Sequence, residues 1–201
     1  GAPAGVAVAD LQEALRRHPE SVAVMVTDPS YQGTGGDLAM LAEVAHAQDV
    51  PLVVDQAWGA HLGFHPAYPG HALQAGADAM ITSAHKMLPA FSQAAVVLVR
   101  GARLDLGRLE RAFEATHTTS PAAAILASID AARAFLQADE GRAALGRTAI
   151  LVDRARRRLT AAGLMVPGPA DYPSGRFDPA KLVVHFAAAG RSGLDAEREL
   201  L

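Results

Sequence analysis

The sequence predicts an α/β fold in which a mostly parallel sheet is flanked by helices. Three observations carry that prediction. Short apolar runs alternate along the chain with segments of helical periodicity, as in a succession of strand–helix units. The runs VAVMVT, PLVVD and ADAMIT are nearly continuous in Val, Leu, Ile, Met and Ala rather than alternating, which predicts strands buried on both faces. The polar residues Asp28, Asp55 and the run Ser83-Ala84-His85-Lys86 fall where those runs end, the place where such sheets put their ligands.

Taken in order, residues 9–17 read as a helix, 22–27 as a strand, 37–48 as a helix and 51–55 as a strand. A short helix is expected near 72–75, then strands at 77–82 and 94–100. Beyond Arg100 the character changes. Residues 104–115 read as a helix, and His117-Thr118-Thr119-Ser120-Pro121 as a loop whose Ser or Thr can cap the next helix, one reading being Ser120 as N-cap with Pro121 at the first position. That apolar helix covers 122–136. Residues 141–162 form a long helix with arginines along one face, 163–176 are a Pro- and Gly-rich connection, 182–187 a further strand, and 194–201 the start of a helix. The expected division is a partial sheet domain over 1–140, a connecting helix over 141–162, and the beginning of a small C-terminal α/β domain over 163–201.

Composition narrows the class of function. With 201 residues, half of them hydrophobic and 19% charged, the chain can bury a substantial core. A net charge of -3 with no basic tract gives neither a nucleic-acid footprint nor an anionic-membrane anchor, so small molecules and other protein chains are the expected partners. There is no cysteine, which removes disulfides, thiolate nucleophiles and Cys-based zinc sites. No apolar run reaches the length of a membrane span, and a cytoplasmic protein is expected. His61 and His65 have a spacing that suits metal ligands on a helix, but Gly63 and Pro66 oppose a helix and no acidic third ligand accompanies them. No metal site is expected.

Lys86 and Asp55 carry the chemistry. An amine and a carboxylate delivered by the ends of two successive strands suit pyridoxal phosphate (PLP): Lys86 forms the imine, and Asp55 keeps the ring nitrogen protonated because an opposite charge nearby favours the charged form. Ser83 offers a hydroxyl to a phosphate oxygen, and His85 a ring N–H to phosphate or to a substrate carboxylate. Taken alone, each residue also has a plain reading: a solvated lysine, a turn aspartate, a histidine satisfied within the fold.

The succession TDPSYQGTGGDL, HAQDVPLVVDQAWGAHLGFHP, LQAGADAMITSAHKMLPAFSQ and THTTSPAAAILASIDAAR resembles the Orn/Lys/Arg decarboxylase major domain family over about 22–133. These are PLP enzymes of fold type I, the aspartate aminotransferase fold. The resemblance implies α-decarboxylation of arginine, lysine or ornithine to the amine, with Lys86, His85 and Asp55 as catalytic residues. It implies that Ala57 packs on the cofactor ring and that Ser30 and Tyr31 lie near the ring's 3'-oxygen. It also implies that Thr118, Thr119 and Ser120 reach across a homodimer or higher oligomer interface toward the cofactor phosphate of the neighbouring subunit. The sequence departs from the family at Asp55-Gln56-Ala57-Trp58, where Asp-Glu-Ala-His is usual, so no role of that histidine passes to Trp58. The first strands of the fold and its phosphate loop have no counterpart before Val22, so the large domain is expected to be incomplete at both ends, with exposed sheet edges. Two alternatives stand beside decarboxylation: another fold type I reaction, by an aminotransferase or lyase, and a non-catalytic homologue serving as an interaction unit.

Overall fold

The computed structural model describes residues 5–118, 120, 122–172 and 176–200. Four strands, β1 (Val24–Thr27), β2 (Leu52–Asp55), β3 (Ala79–Thr82) and β4 (Val96–Val99), form one sheet in the order β1-β2-β3-β4. The first three are parallel, with Thr27 level with Asp55 and Asp55 level with Ile81, and β4 runs antiparallel to β3. The shared register ends β1 to β3 at one level, and the loops that follow them open on a common edge.

Helix α1 (Val8–Arg17) buries Leu11 and Leu15, and α2 (Leu38–His46) buries Leu38, Leu41, Ala42 and Ala45. Asp37 begins α2 by accepting a hydrogen bond from the Met40 amide at 3.2 Å, which satisfies one of the donors a helix start leaves open. These side chains join Val24, Val26, Leu52, Val54, Leu73 and Met80 in one apolar core. At the opposite edge of the sheet from the ligand loops, the buried Asp78 binds its neighbours: its carboxylate accepts from the Leu52 amide at 2.8 Å and from His46 Nε2 at 2.7 Å.

Farther along, α3 (Ala84–Met87) follows β3 directly, and α4 (Leu106–Thr116), α5 (Ala123–Gln137), α6 (Asp139–Ala161) and α7 (Gly193–Leu200) complete the helices among the described residues. Helices α5 and α6 pack against each other across Ala138, the residue that ends one and begins the next. The close approach depends on Gly141: a Cβ there would lie 2.0 Å from the Phe135 carbonyl oxygen.

The structure corrects four sequence expectations. Residues 72–75 are a turn rather than a helix, because Gly76, at φ +103°, reverses the chain and lets the Ala77 amide bond back to the Ala72 carbonyl. Residues 182–187 gain no ladder; a single bridge pairs Met165 with His185, too little to make a strand. Helix α5 starts at Ala123 with Ala122 as its N-cap, so Ser120 does not cap it, and Pro121 lies outside the described residues. Burial on both faces holds for β2 and β3 alone. At the sheet margins β1 alternates buried with exposed positions and β4 is largely open, leaving Met25, Val97 and Leu98 exposed.

Alanine is normally the better helix former, yet Gly141→Ala is expected to destabilise the protein by about 1–3 kcal/mol, since the added methyl must displace backbone rather than a flexible side chain. Urea unfolding of the two proteins checks the sign.

Candidate active site

Asp55 is the last residue of β2, and Lys86 sits in the helical turn that begins two residues after β3. Because β2 and β3 are adjacent and parallel, their ends deliver the carboxylate and the amine to the same edge of the sheet. Between them the chain is fixed by Gln56, which is fully buried: its amide donates to the Ile81 carbonyl at 2.7 Å, its own carbonyl accepts from the Thr82 hydroxyl, and its side-chain oxygen accepts from the Ala72 amide. Asp55 Oδ1 accepts from the Ala57 amide at 3.0 Å, which orients the carboxylate while leaving it part-exposed.

Trp58 is the centre of an aromatic and cationic group. Tyr31 meets its ring edge-on with centroids 4.7 Å apart, and Lys86 Nζ lies 4.8 Å from the ring centre. Lys181, from the far end of the sequence, brings its amine to 4.3 Å from the same centre. Burial lowers the Lys181 pKa from the ordinary lysine value, with the charge of Asp178 opposing the shift.

The remaining expected site residues fall into two groups. Ser83 precedes α3, and its hydroxyl makes no hydrogen bond among the described residues. His85 Nδ1–H donates to the Ala94 carbonyl at 2.8 Å, so in the neutral ring Nε2 is an acceptor and can donate only when the ring is protonated. Ala57 is part-buried beside Asp55, whereas Ser30 is bound to its own turn, its oxygen 2.7 Å from Thr34 Oγ1. Thr118 and Ser120 are exposed and line a different cleft, of about 350 Å³, with Phe113, His117 and Ile125. Thr119 lies outside the described residues.

An ion pair and a buried hydrogen bond that sequence reasoning missed tie the C-terminal segment to this edge. Arg176 Nε donates to Asp28 Oδ1 at 2.8 Å, while the Gly36 amide donates to Asp28 Oδ2. Burial raises the Asp28 pKa, and the charge and hydrogen bond of Arg176, followed by the Gly36 amide, oppose that rise. His61 Nε2 donates to Asp178 Oδ1 at 3.0 Å, and both residues are about 1% exposed. His61 thus spends one ring nitrogen on Asp178, and its ring also meets Tyr68 edge-on. Burial and the Asp178 charge push the Tyr68 hydroxyl up to about 12, and that hydroxyl donates to the Leu145 carbonyl. The pairs span 148 and 117 residues, so no local spacing could have revealed them.

The fold is that of the fold type I PLP enzymes. A structure of SPT with PLP superposes with a TM-score of 0.63 at 19% identity, covering 88% of this chain and 43% of that one. The Francisella novicida lysine decarboxylase gives 0.60 at 25% identity, covering 76% of this chain and 22% of that one. The chain belongs to the Orn/Lys/Arg decarboxylase major domain family, whose model matches residues 3–166. An arginine decarboxylase of Halalkalibacterium halodurans is 36% identical over 200 residues, 96% of this chain and 40% of the relative, so the chain spans well under half of that protein's length.

Arg176→Met leaves the Asp28 carboxylate buried without its cation, and a loss of about 3–5 kcal/mol is expected near neutral pH. A carboxyl whose folded pKa is raised loses stability as pH rises from the ordinary value toward the folded one, because the unfolded chain releases its proton first. Removing Arg176 raises the folded value further. The deficit of the variant should therefore shrink as pH falls through that window, which urea unfolding across a pH series measures.

Proposed function

We propose that the protein carries out, as part of its family's catalytic domain, PLP-dependent α-decarboxylation of a basic amino acid, with arginine, lysine or ornithine giving the corresponding amine. The observation that carries the reading is the delivery of Lys86 and Asp55 to one edge by adjacent parallel strands. The relatives named arginine and lysine decarboxylase support the reaction type.

The residues present fit the cofactor's two poles. Asp55 keeps a part-exposed carboxylate held by the Ala57 amide, suited to a protonated ring nitrogen. Lys86 is exposed and its amine has no hydrogen-bond or ion-pair partner among the described residues, as a group that must bond to a carbonyl carbon requires. Ser83 has a free hydroxyl on the same turn for a phosphate oxygen. When bound, PLP supplies the electron sink that receives the bonding pair as carbon dioxide departs.

The protein's own work is orientation and proton handling. Ala57 presents a small side chain beside Asp55, suited to packing on a flat ring, while Trp58, with Tyr31 edge-on to it, lies against the Lys86 amine. Lys86 is the group to return a proton to the carbon that loses its carboxylate. His85, with Nδ1–H held by Ala94, offers Nε2–H, in the protonated ring, for the same task or for an anionic oxygen. A homodimer or higher oligomer with the site at its interface belongs to the same reading, supported by the exposed Thr118 and Ser120 and by exposed Phe113 and Leu126 around their cleft. A cytoplasmic location is in keeping with the absence of cysteine.

Titration with PLP is expected to produce an absorption band near the visible edge that is missing in Lys86→Ala. Asp55→Asn should keep the band and lower turnover by about 10- to 1000-fold, the effect of losing an opposite charge worth one to three pKa units at the ring. Carbon dioxide release across a panel of amino acids checks the reaction. A protein that binds PLP and releases none, or that yields a keto acid, is not a decarboxylase.

A further inference from the structure

Lys181 is a cation whose placement the fold alone does not explain. Its amine lies 4.3 Å from the centre of the Trp58 ring and 5.3 Å from that of Tyr31, with no hydrogen-bond or ion-pair partner among the described residues. Lys86, equally without such a partner, lies against the same indole. Partial burial strips water from Lys181, and the nearby charge of Asp178 offsets this only in part. Ring faces attract cations but accept no hydrogen bond comparable to that of an anion.

The backbone holds Lys181 in this position from several directions. Its amide donates to the Asp178 carbonyl at 3.0 Å, and its carbonyl accepts from Arg156 Nη2 at 2.9 Å. Asp178 is in turn fixed by His61 and by the Ala180 amide. The lysine stem runs over Gly33, where a Cβ would come within 2.6 Å of Lys181 Cγ. A lysine whose role was only to meet solvent would need none of this.

We propose that Lys181 is an oxyanion-binding residue of the Lys86 site, taking a phosphate or carboxylate group next to the Trp58 ring, with the His61–Asp178 pair as its positioning device. The inference deepens the functional reading and rests on it for its ligands, since PLP and an amino acid each carry such a group. A bound anion would supply the hydrogen-bond acceptor that both amines lack.

Trp58 is the single tryptophan of the sequence, so its fluorescence reports on this spot directly. Titration of the protein with inorganic phosphate, and separately with acetate, is expected to change its emission saturably. Lys181→Gln should weaken that binding by about ten-fold or more, and Lys181→Arg should largely retain it. Tighter binding of phosphate assigns the residue to the cofactor's phosphate; tighter binding of acetate assigns it to the substrate carboxylate. No saturable change with either anion, or equal binding by Lys181→Gln, overturns the proposal and leaves Lys181 a packing residue. Wild-type protein gives an independent arm should the variants not fold: phosphate or acetate must slow labelling of Lys181 by trinitrobenzenesulfonate, followed by peptide mass spectrometry, and unchanged labelling also overturns it. Neither arm involves an aldehyde or turnover, so failure of the Lys86-dependent PLP band would be seen separately.

Discussion

The placement of the site depends on the seam between β2 and β3 at Gln56. One residue satisfies its backbone amide and carbonyl across that seam and its side-chain oxygen at the Ala72 turn, and all three bonds are buried. Each of these bonds resists displacement, because losing it would leave an unsatisfied partner in a low-dielectric interior. Asp55 precedes this anchor and Ala57 and Trp58 follow it, so carboxylate, small side chain and indole all inherit its position. A charged side chain at residue 56 would have to be buried in the same place, and the neutral amide avoids that cost.

The second determinant is the return of the C-terminal segment. Residues 176–181 come back over the loops that follow β1 and β2, and they are fastened by the Arg176–Asp28 ion pair and the His61–Asp178 hydrogen bond rather than by apolar packing alone. Such pairs repay their desolvation poorly in net stability, but they penalise any arrangement that separates the partners. Only one docking satisfies Asp28 with Arg176 and His61 with Asp178 together. That docking is what brings Lys181 to Trp58 from the far end of the chain.

Much of this was legible in the sequence for a simple reason. Strands β1, β2 and β3 are local apolar runs, and the residues that end them are read off directly; hence Asp55, Ser83 and Lys86 lie just beyond the runs that precede them. Strand β4 was found as a strand, but its direction was not, since an apolar run reads the same whichever way it pairs. Residues 182–187 have strand-like composition, yet pairing needs a neighbour, and here His185 meets Met165 alone. Ser120 looked like a helix cap because Ser before Pro is a common start, and the helix began later. The ion pair, the buried hydrogen bond and Lys181 were invisible for a different reason: His61, Asp178, Asp28 and Arg176 become neighbours only once the chain has folded back over a hundred residues or more.

Asp78 has a bearing on how this domain can change over time. It secures the starts of β2 and β3 through Leu52 and His46, at the edge of the sheet opposite Lys86. Because that fastening is a full strand length away from the reacting groups, substitutions around it alter how firmly the strands are held without altering which side chains face a ligand. The loop edge can then vary while the Asp78 edge is left alone. A substitution at Trp58 is a change of this kind: it alters what borders the lysine and leaves the sheet that presents the lysine intact.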